Sequence, residues 1–214
     1  MNTLSQDNIA RFDALAKEWD DAPRRVATAK AIANAIMTAN RPHTDERAFE
    51  FGCGTGLLSL ALAPEIGHIV AMDNSAQMLD VLKSKASALD ITNVETVEGS
   101  VPEHRPDGAF HLIFSSMTLH HIADTRELLA TLFDLCRPGG RIALADLEKE
   151  DGSFHGDKPG IAHHGFDRDQ LTAAIDEAGF RDIQFSTAHT MEKKGSDGRM
   201  RQYPIFLATA TRAT

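Results

Sequence analysis

Apolar residues recur every three or four positions from Asn8 to Asp20, with Ile9, Phe12, Leu15, Ala16 and Trp19 on one face, and this spacing predicts an amphipathic helix. Pro23 suits the first position of a second helix, Arg24 to about Asn40, which Arg41-Pro42 ends. Beyond that point the period changes. Apolar runs of strand length alternate with helical spacing, the pattern of a parallel sheet covered on both faces. Strands are predicted at Arg47–Phe51, His68–Met72 ending on Asp73, Val94–Glu98, Phe110–Phe114 running out at Ser115-Ser116, and Arg141–Ala145 ending on Asp146. Helices are predicted over Leu57–Ala63, Ser75–Leu89 and Asp124–Leu135, and Arg137-Pro138-Gly139-Gly140 reads as a sharp turn.

The rhythm breaks at Leu147–Phe166, a polar stretch rich in Gly and His that reads as an inserted functional loop or lid. Asp167 then caps a helix to Ala178, and Gly179 stops it. Ile183–Thr187 and Pro204–Thr211 are the last strands, paired antiparallel through Lys194-Gly195-Ser196-Asp197-Gly198. The expected fold is a Rossmann-like α/β three-layer sandwich, with a seven-stranded, mostly parallel sheet and an antiparallel edge hairpin. No internal repeat or second domain boundary interrupts residues 1–214, so one domain is expected, with the helices of 1–42 as its lid.

Composition narrows the partners. Twenty-two Lys+Arg against 31 Asp+Glu give a net charge of −9, which repels phosphate backbones and anionic lipid, so neither nucleic acid nor membrane is expected. Residues Met1 to Asp7 have neither a basic region nor an apolar core, and no run of apolar residues is long enough to span a bilayer. A cytoplasmic protein is the expectation. The two cysteines, Cys53 and Cys136, are too few for a disulfide framework or a CxxC-type zinc site, and Cys53 reads as a small turn residue.

The chemistry concentrates in Ala48-Phe49-Glu50-Phe51-Gly52-Cys53-Gly54-Thr55-Gly56, an apolar run carrying an acid that leads into three alternate glycines and a new apolar segment. Alternate glycines let a bound molecule lie against main-chain atoms. Ligands of open α/β sheets bind past the carboxyl ends of the strands, a rim that here carries the glycines, Asp73, Ser100, Ser115 and Asp146. Asp73 is placed to accept hydrogen bonds from a ribose diol. A dinucleotide turn wants G-x-G-x-x-G, but Leu57 stands where its third glycine would fall. The tighter turn, with Glu50 nearby, suits an amino-acid carboxylate and ammonium, hence an adenosyl amino acid over NAD.

Glu50 to Gly56, Met72-Asp73-Asn74-Ser75 with Met78-Leu79, Leu119-His120-His121-Ile122 and Arg137-Pro138-Gly139-Gly140 occur in order. Over nearly its whole length the chain resembles class I S-adenosylmethionine-dependent methyltransferases. Phe12, Ala16, Trp19 and Asp20, with His164-Gly165-Phe166-Asp167, resemble more loosely the small-molecule branch related to ubiquinone and menaquinone biosynthesis. The resemblance implies that Glu50, Gly52, Gly54 and Gly56 hold the methionine part of S-adenosyl-L-methionine, Asp73 the ribose hydroxyls and Met78 one face of the adenine, with Asn74, Ser100, Val101 and Ser115 in the remainder of the cofactor site. Many relatives carry an acid after the third strand, where this chain has Gly99-Ser100-Val101.

Methyl transfer to a small-molecule acceptor is therefore the expectation, with a nucleotide-dependent oxidoreductase or a non-catalytic S-adenosylmethionine-binding protein as alternatives. Ser115-Ser116-Met117-Thr118 is unlike the Asn/Asp-Pro-Pro-aromatic run of enzymes that methylate DNA amines. His120 and His121, after the fourth strand, are the candidate catalytic residues, against a packing or capping role. His155, His163 and His164 show no metal-ligand spacing, and no metal is expected. Asp146, Glu148, Glu150 and Asp151 read as a solvated acidic loop, Lys193 and Lys194 as hairpin residues without function, and Trp19 as a cover for the acceptor pocket or simple helix packing. Replacing Asp73 by Ala is expected to weaken cofactor binding by about tenfold or more, read as a calorimetric dissociation constant, because a hydrogen bond to a charged group contributes roughly 1.5–3 kcal/mol.

Overall fold

The computed structural model describes residues 6–156 and 158–214, with the side chains of residues 6 and 7 left aside. Residues 1–5 of the amino-terminal stretch read above lie outside the described residues. Six α-helices and seven strands follow in order: α1 Gln6–Leu15, α2 Pro23–Asn40, β1 Arg47–Phe51, α3 Leu57–Leu62, β2 His68–Asp73, α4 Ala76–Ala88, β3 Val94–Glu98, β4 Phe110–Ser116, α5 Thr125–Leu135, β5 Cys136–Leu147, α6 Arg168–Glu177, β6 Arg181–Lys194 and β7 Met200–Thr211. The sheet order is β3-β2-β1-β4-β5-β7-β6, parallel except for β7, which runs antiparallel to both neighbours. The winding reverses between β1 and β4, which opens a crevice past their carboxyl ends.

Strand alternation divides the core into two layers. Ala48, Ile69, Ala71, Leu112, Phe114, Ala143 and Leu207 face α2, α3 and α4, through Ile32, Ile36, Leu58, Leu79 and Leu82. Phe49, Phe51, Val70, Met72, Ile113, Ile142, Leu144 and Phe206 face α5 and α6, through Leu128, Leu132, Leu171 and Ile175. The near-continuous apolar reading of β1, β2 and β4 follows from this two-sided burial.

Four boundaries differ from the sequence reading. The predicted helix Asn8–Asp20 is an α-helix only to Leu15 and closes as a 3-10 turn over Ala16–Asp21, and the helix after the glycines likewise tightens over Ala63–Glu65. The turn predicted at Arg137–Gly140 lies inside β5, beside a register shift of its ladder with β4. The edge hairpin is also much longer than Ile183–Thr187 and Pro204–Thr211 suggested. It extends to Lys194 and back from Met200 because the polar residues between pair backbone to backbone, Glu192 with Gln202 and Lys193 with Arg201. Between those pairs Met191 stands opposite Tyr203, both buried in the core, so polar and core positions alternate along the extension.

Caps fall where the sequence puts them. Ser75 Oγ accepts from Met78 N at the head of α4, Asp124 from Glu127 N at α5, and Asp167 from Asp169 N and Gln170 N at α6. Leu132 has no solvent exposure and packs between α5 and the sheet. Leu132→Ala is expected to lower stability by about 2–5 kcal/mol in denaturant unfolding without changing the fold.

Candidate functional site

β1 delivers Glu50 and Phe51 to the crevice, and the chain then turns through Gly52, Gly54 and Gly56, all with positive φ. The three glycines do different work. A Cβ at Gly52 would overlap the Thr118 side chain, and one at Gly56 would overlap Leu82 of α4. At Gly54 a Cβ would meet no protein atom within 4 Å. Gly54 therefore presents bare backbone to a cavity of about 520 Å³, whereas Gly56, absent from the lining, lets α3 pack on α4.

Asp73 ends β2 beside this turn. Its Oδ2 accepts from Gly54 N at 2.8 Å and its Oδ1 from Ser75 N at 2.9 Å, so one carboxylate joins the glycine turn to the cap of α4. Burial, set against those hydrogen bonds, pushes its pKa up from the ordinary value. Asn74, Met78, Ser100 and Val101 line the same cavity. Ser100 Oγ donates to Glu103 Oε2 at 3.0 Å, and Glu103 also lines the cavity, so the carboxylate missing directly after β3 stands three residues later.

Ser115 corrects the sequence reading. It is fully buried, its Oγ donates to Phe51 O at 2.7 Å, and the cavity is lined by Ser116, Met117 and Thr118 instead. Side chains alternate along β4, so the residue that ties β4 to the end of β1 is the one turned away from the crevice. Cys53 lines the cavity as well, but burial, reinforced by Asp73 and Glu50, holds its thiol well above the ordinary pKa, so it is no thiolate nucleophile.

At the far side, His120 and His121 follow β4 in a short 3-10 turn and both line the cavity. His120 is buried, and its Nδ1 lies 2.8 Å from Asp146 Oδ1 at the end of β5. Asp146 also accepts from His120 N and Leu147 N, so it serves as acceptor throughout and Nδ1 is the donor. In the tautomer that donates from Nδ1 the lone pair lies on Nε2, a buried atom with no partner among the described residues. His121 has its Nδ1 2.7 Å from Gly160 O, and burial, helped by His120, lowers its pKa to about 4. His155 stacks against His120 with ring centres 4.7 Å apart, and burial together with those two rings holds it neutral. Among the described residues no group of three His, Cys, Asp or Glu is placed to hold a metal ion.

The solvated acidic loop of the sequence reading is also corrected. Asp146 is buried and Glu148 is partly buried against Arg168 at 2.5 Å, whereas Asp151 is exposed, as read, and pairs with Arg201 at 2.6 Å. Lys193, read as functionless, lines the cavity, which the extended hairpin alone makes possible. Arg11, Phe12 and Trp19 line it too, and the amino-terminal segment is fastened over it. Ser75 Oγ donates to Asp13, Thr55 Oγ1 and Lys85 Nζ to Asp20, and Phe12 meets the His121 ring edge-on at 5.7 Å. Asp13, His155 and Lys193 carried no motif signal, since they gain their positions only from packing, whereas Asp146 stood on the predicted rim.

Residues 48–140 match the family model described as a methyltransferase domain. An uncharacterised methyltransferase of Schizosaccharomyces pombe is 35% identical over 132 residues, which is 54% of this chain and 46% of that protein. The ubiquinone biosynthesis O-methyltransferase of Erwinia tasmaniensis is 24% identical, across 72% of this chain and 65% of its own length. The chain thus spans between about half and two thirds of these curated relatives. Among solved structures, the DhpI–SAH complex superposes with a TM-score of 0.73 at 20% identity, covering 100% of this chain and 98% of the other.

Burial pushes Glu50 up from an ordinary 4.5 to about 8, with Asp73 adding and the hydrogen bond from Ser59 opposing. Its folded state thus holds a proton that the unfolded chain releases near 4.5, so the stability it contributes is full below that pH and is lost as pH rises toward 8. Glu50→Gln is expected to flatten this part of the pH profile. Unfolding curves between pH 4.5 and 8 should show a smaller loss for the variant than for the parent.

Proposed function

We propose that the chain is a class I S-adenosylmethionine-dependent methyltransferase and that it methylates a small-molecule acceptor whose reacting atom gives up a proton. The observation that carries this reading is a single cavity that runs from the glycine turn and Asp73 to the buried His120–Asp146 pair. The residues of its near side suit the donor. Asp73 keeps lone pairs beyond the two hydrogen bonds it accepts, enough for a ribose diol, and Gly54 offers backbone with room in front of it. Met78 and Val101 supply apolar surface for a purine, with Ser100 and Glu103 at its polar edge. Glu50 takes the ammonium end of the amino acid. When bound, the donor supplies a methyl group on a sulfonium, already activated for in-line displacement.

What the protein adds is alignment, dryness and a proton acceptor. Phe12, Trp19 and His121 close the acceptor side, and the amino-terminal segment held by Asp13 and Asp20 acts as their lid. His120 Nε2 receives the acceptor's proton as the acceptor atom bonds to the methyl carbon, and Asp146 stabilises the imidazolium that results. Neutral His121 and His155 beside it add no competing charge before the transfer. The O-methyltransferase name of the Erwinia relative agrees with a hydroxyl as the reacting group.

His120→Gln is expected to lower kcat by about 100-fold or more while leaving the S-adenosylmethionine dissociation constant within about twofold, with Asp146→Asn falling between. Calorimetry with the cofactor, and turnover across a panel of hydroxylated acceptors, read the two quantities separately. Full turnover in His120→Gln would remove the base assignment, and no cofactor binding by the parent protein would remove the reading itself.

A further inference from the structure

The acceptor side of the cavity carries a charge pattern that methyl transfer does not explain. Arg11 comes from α1, Arg24 and Thr28 from α2, Lys158 from the long loop and Lys193 from β6, and all line the one cavity. Four sequence-distant segments thus bring cations together in a chain whose net charge is −9. None of these four cations forms an ion pair within 4 Å among the described residues, whereas arginines elsewhere on the loop and hairpin do, as Arg168 with Glu148 and Arg201 with Asp151 and Asp197.

The head of α2 is inverted as well. A helix start favours acids, but the first turn of α2 holds no acid, its Ala22 cap makes no side-chain hydrogen bond, and its leading residues after Pro23 are Arg24 and Arg25. Arg25 is accounted for, lying 3.8 Å over the Trp19 ring and donating to Trp19 O. Lys193 likewise donates to Phe154 O and lies 3.9 Å over the Phe154 ring, whereas Arg24 has no such contact among the described residues. One turn on, Thr28 is only 4% exposed, and its Oγ1 has no partner among the described residues. Arg11 Nη1 is likewise buried without a partner. Two residues with unpartnered buried donors and a helix head therefore border the same cavity as Lys158 and Lys193.

On these observations we propose that the acceptor carries an anionic handle, a carboxylate or phosphate group, which Arg11, Arg24, Thr28, Lys158 and Lys193 bind while its reacting atom meets His120. The proposal rests on the methyltransferase reading and names its substrate class. The cluster is costly without an anion. Burial, with Lys158 and Arg24 nearby, pushes the Lys193 amine down to about 8, and burial with Arg11, Arg24 and Arg25 lowers Lys158. An oxyanion relieves both effects and gives Thr28 Oγ1 and Arg11 Nη1 their missing partner.

The test uses the full chain saturated with S-adenosylhomocysteine, titrated calorimetrically at constant ionic strength with benzoate, phenyl phosphate and neutral benzamide. At least one anion is expected to bind about tenfold or more tightly than benzamide, the weight of one charge-assisted hydrogen bond. The tighter of the two then identifies the handle. Arg24→Gln, Thr28→Val and Lys193→Gln should each weaken that anion by about fivefold or more, with benzamide and S-adenosylhomocysteine binding unchanged and melting temperatures near that of the parent. Equal binding of benzamide and the anions, no anion binding up to about 10 mM, or variants that leave the anion unaffected would overturn the proposal. S-adenosylhomocysteine binding is scored first, so a protein that binds it but does not discriminate the anions loses this inference alone.

Discussion

Much of the site hangs on the carboxylate of Asp73. The glycine turn after β1 needs three residues at positive φ, a conformation with no side chains to hold it, and Asp73 fixes it by accepting from Gly54 N while accepting from Ser75 N at the head of α4. The bond extends outward from there. Ser75 Oγ accepts from Met78 N and donates to Asp13 of α1, while Thr55 in the turn itself donates to Asp20. One acid at the end of β2 thus orients the turn, the capped helix beside it and the segment that covers both.

Average charge and local charge point in opposite directions in this chain. An excess of acids keeps polyanions away at long range, and that excess is spread over the surface. Inside the crevice the acids sit at strand ends and near the head of α5, as Glu50, Asp73, Glu103 and Asp124, and the cations arrive from α1, α2, the long loop and β6. A cavity with walls of low polarisability lets a few such groups outweigh the sum of distant ones.

The sheet was legible because β1, β2, β4 and β5 are buried on both faces and β3 pairs with β2 at its edge, so apolar runs and alternation mark most of their ends to within a residue or two. The near side of the cavity was legible for a related reason: Gly52, Gly54 and Asp73 are neighbours along one strand–turn–helix unit, where spacing carries geometry. Ser115 and Gly56 show the limit of that rule. Each has the expected place in the chain, but strand alternation turns Ser115 into the sheet and helix packing claims Gly56 for Leu82. The far side was legible in part, as at Asp146, whose strand end put it on the rim. His155, Lys193 and Arg24 lie far apart in sequence and meet only after the loop, the hairpin and the amino-terminal helix have packed.

The long β6–β7 hairpin has a consequence for how such a chain changes over time. In its outer half, polar residues alternate with Met191 and Tyr203, which pair across the ladder and are buried in one layer of the core. Met191 and Lys193 from that half stand in the wall of the crevice. Substitution of Lys193 alters that wall while the glycine turn, Asp73 and the packed sheet stay as they are, whereas substitution of Met191 disturbs wall and core together. The hairpin thus offers one position at which the crevice is edited from an edge and one at which that editing reaches the core.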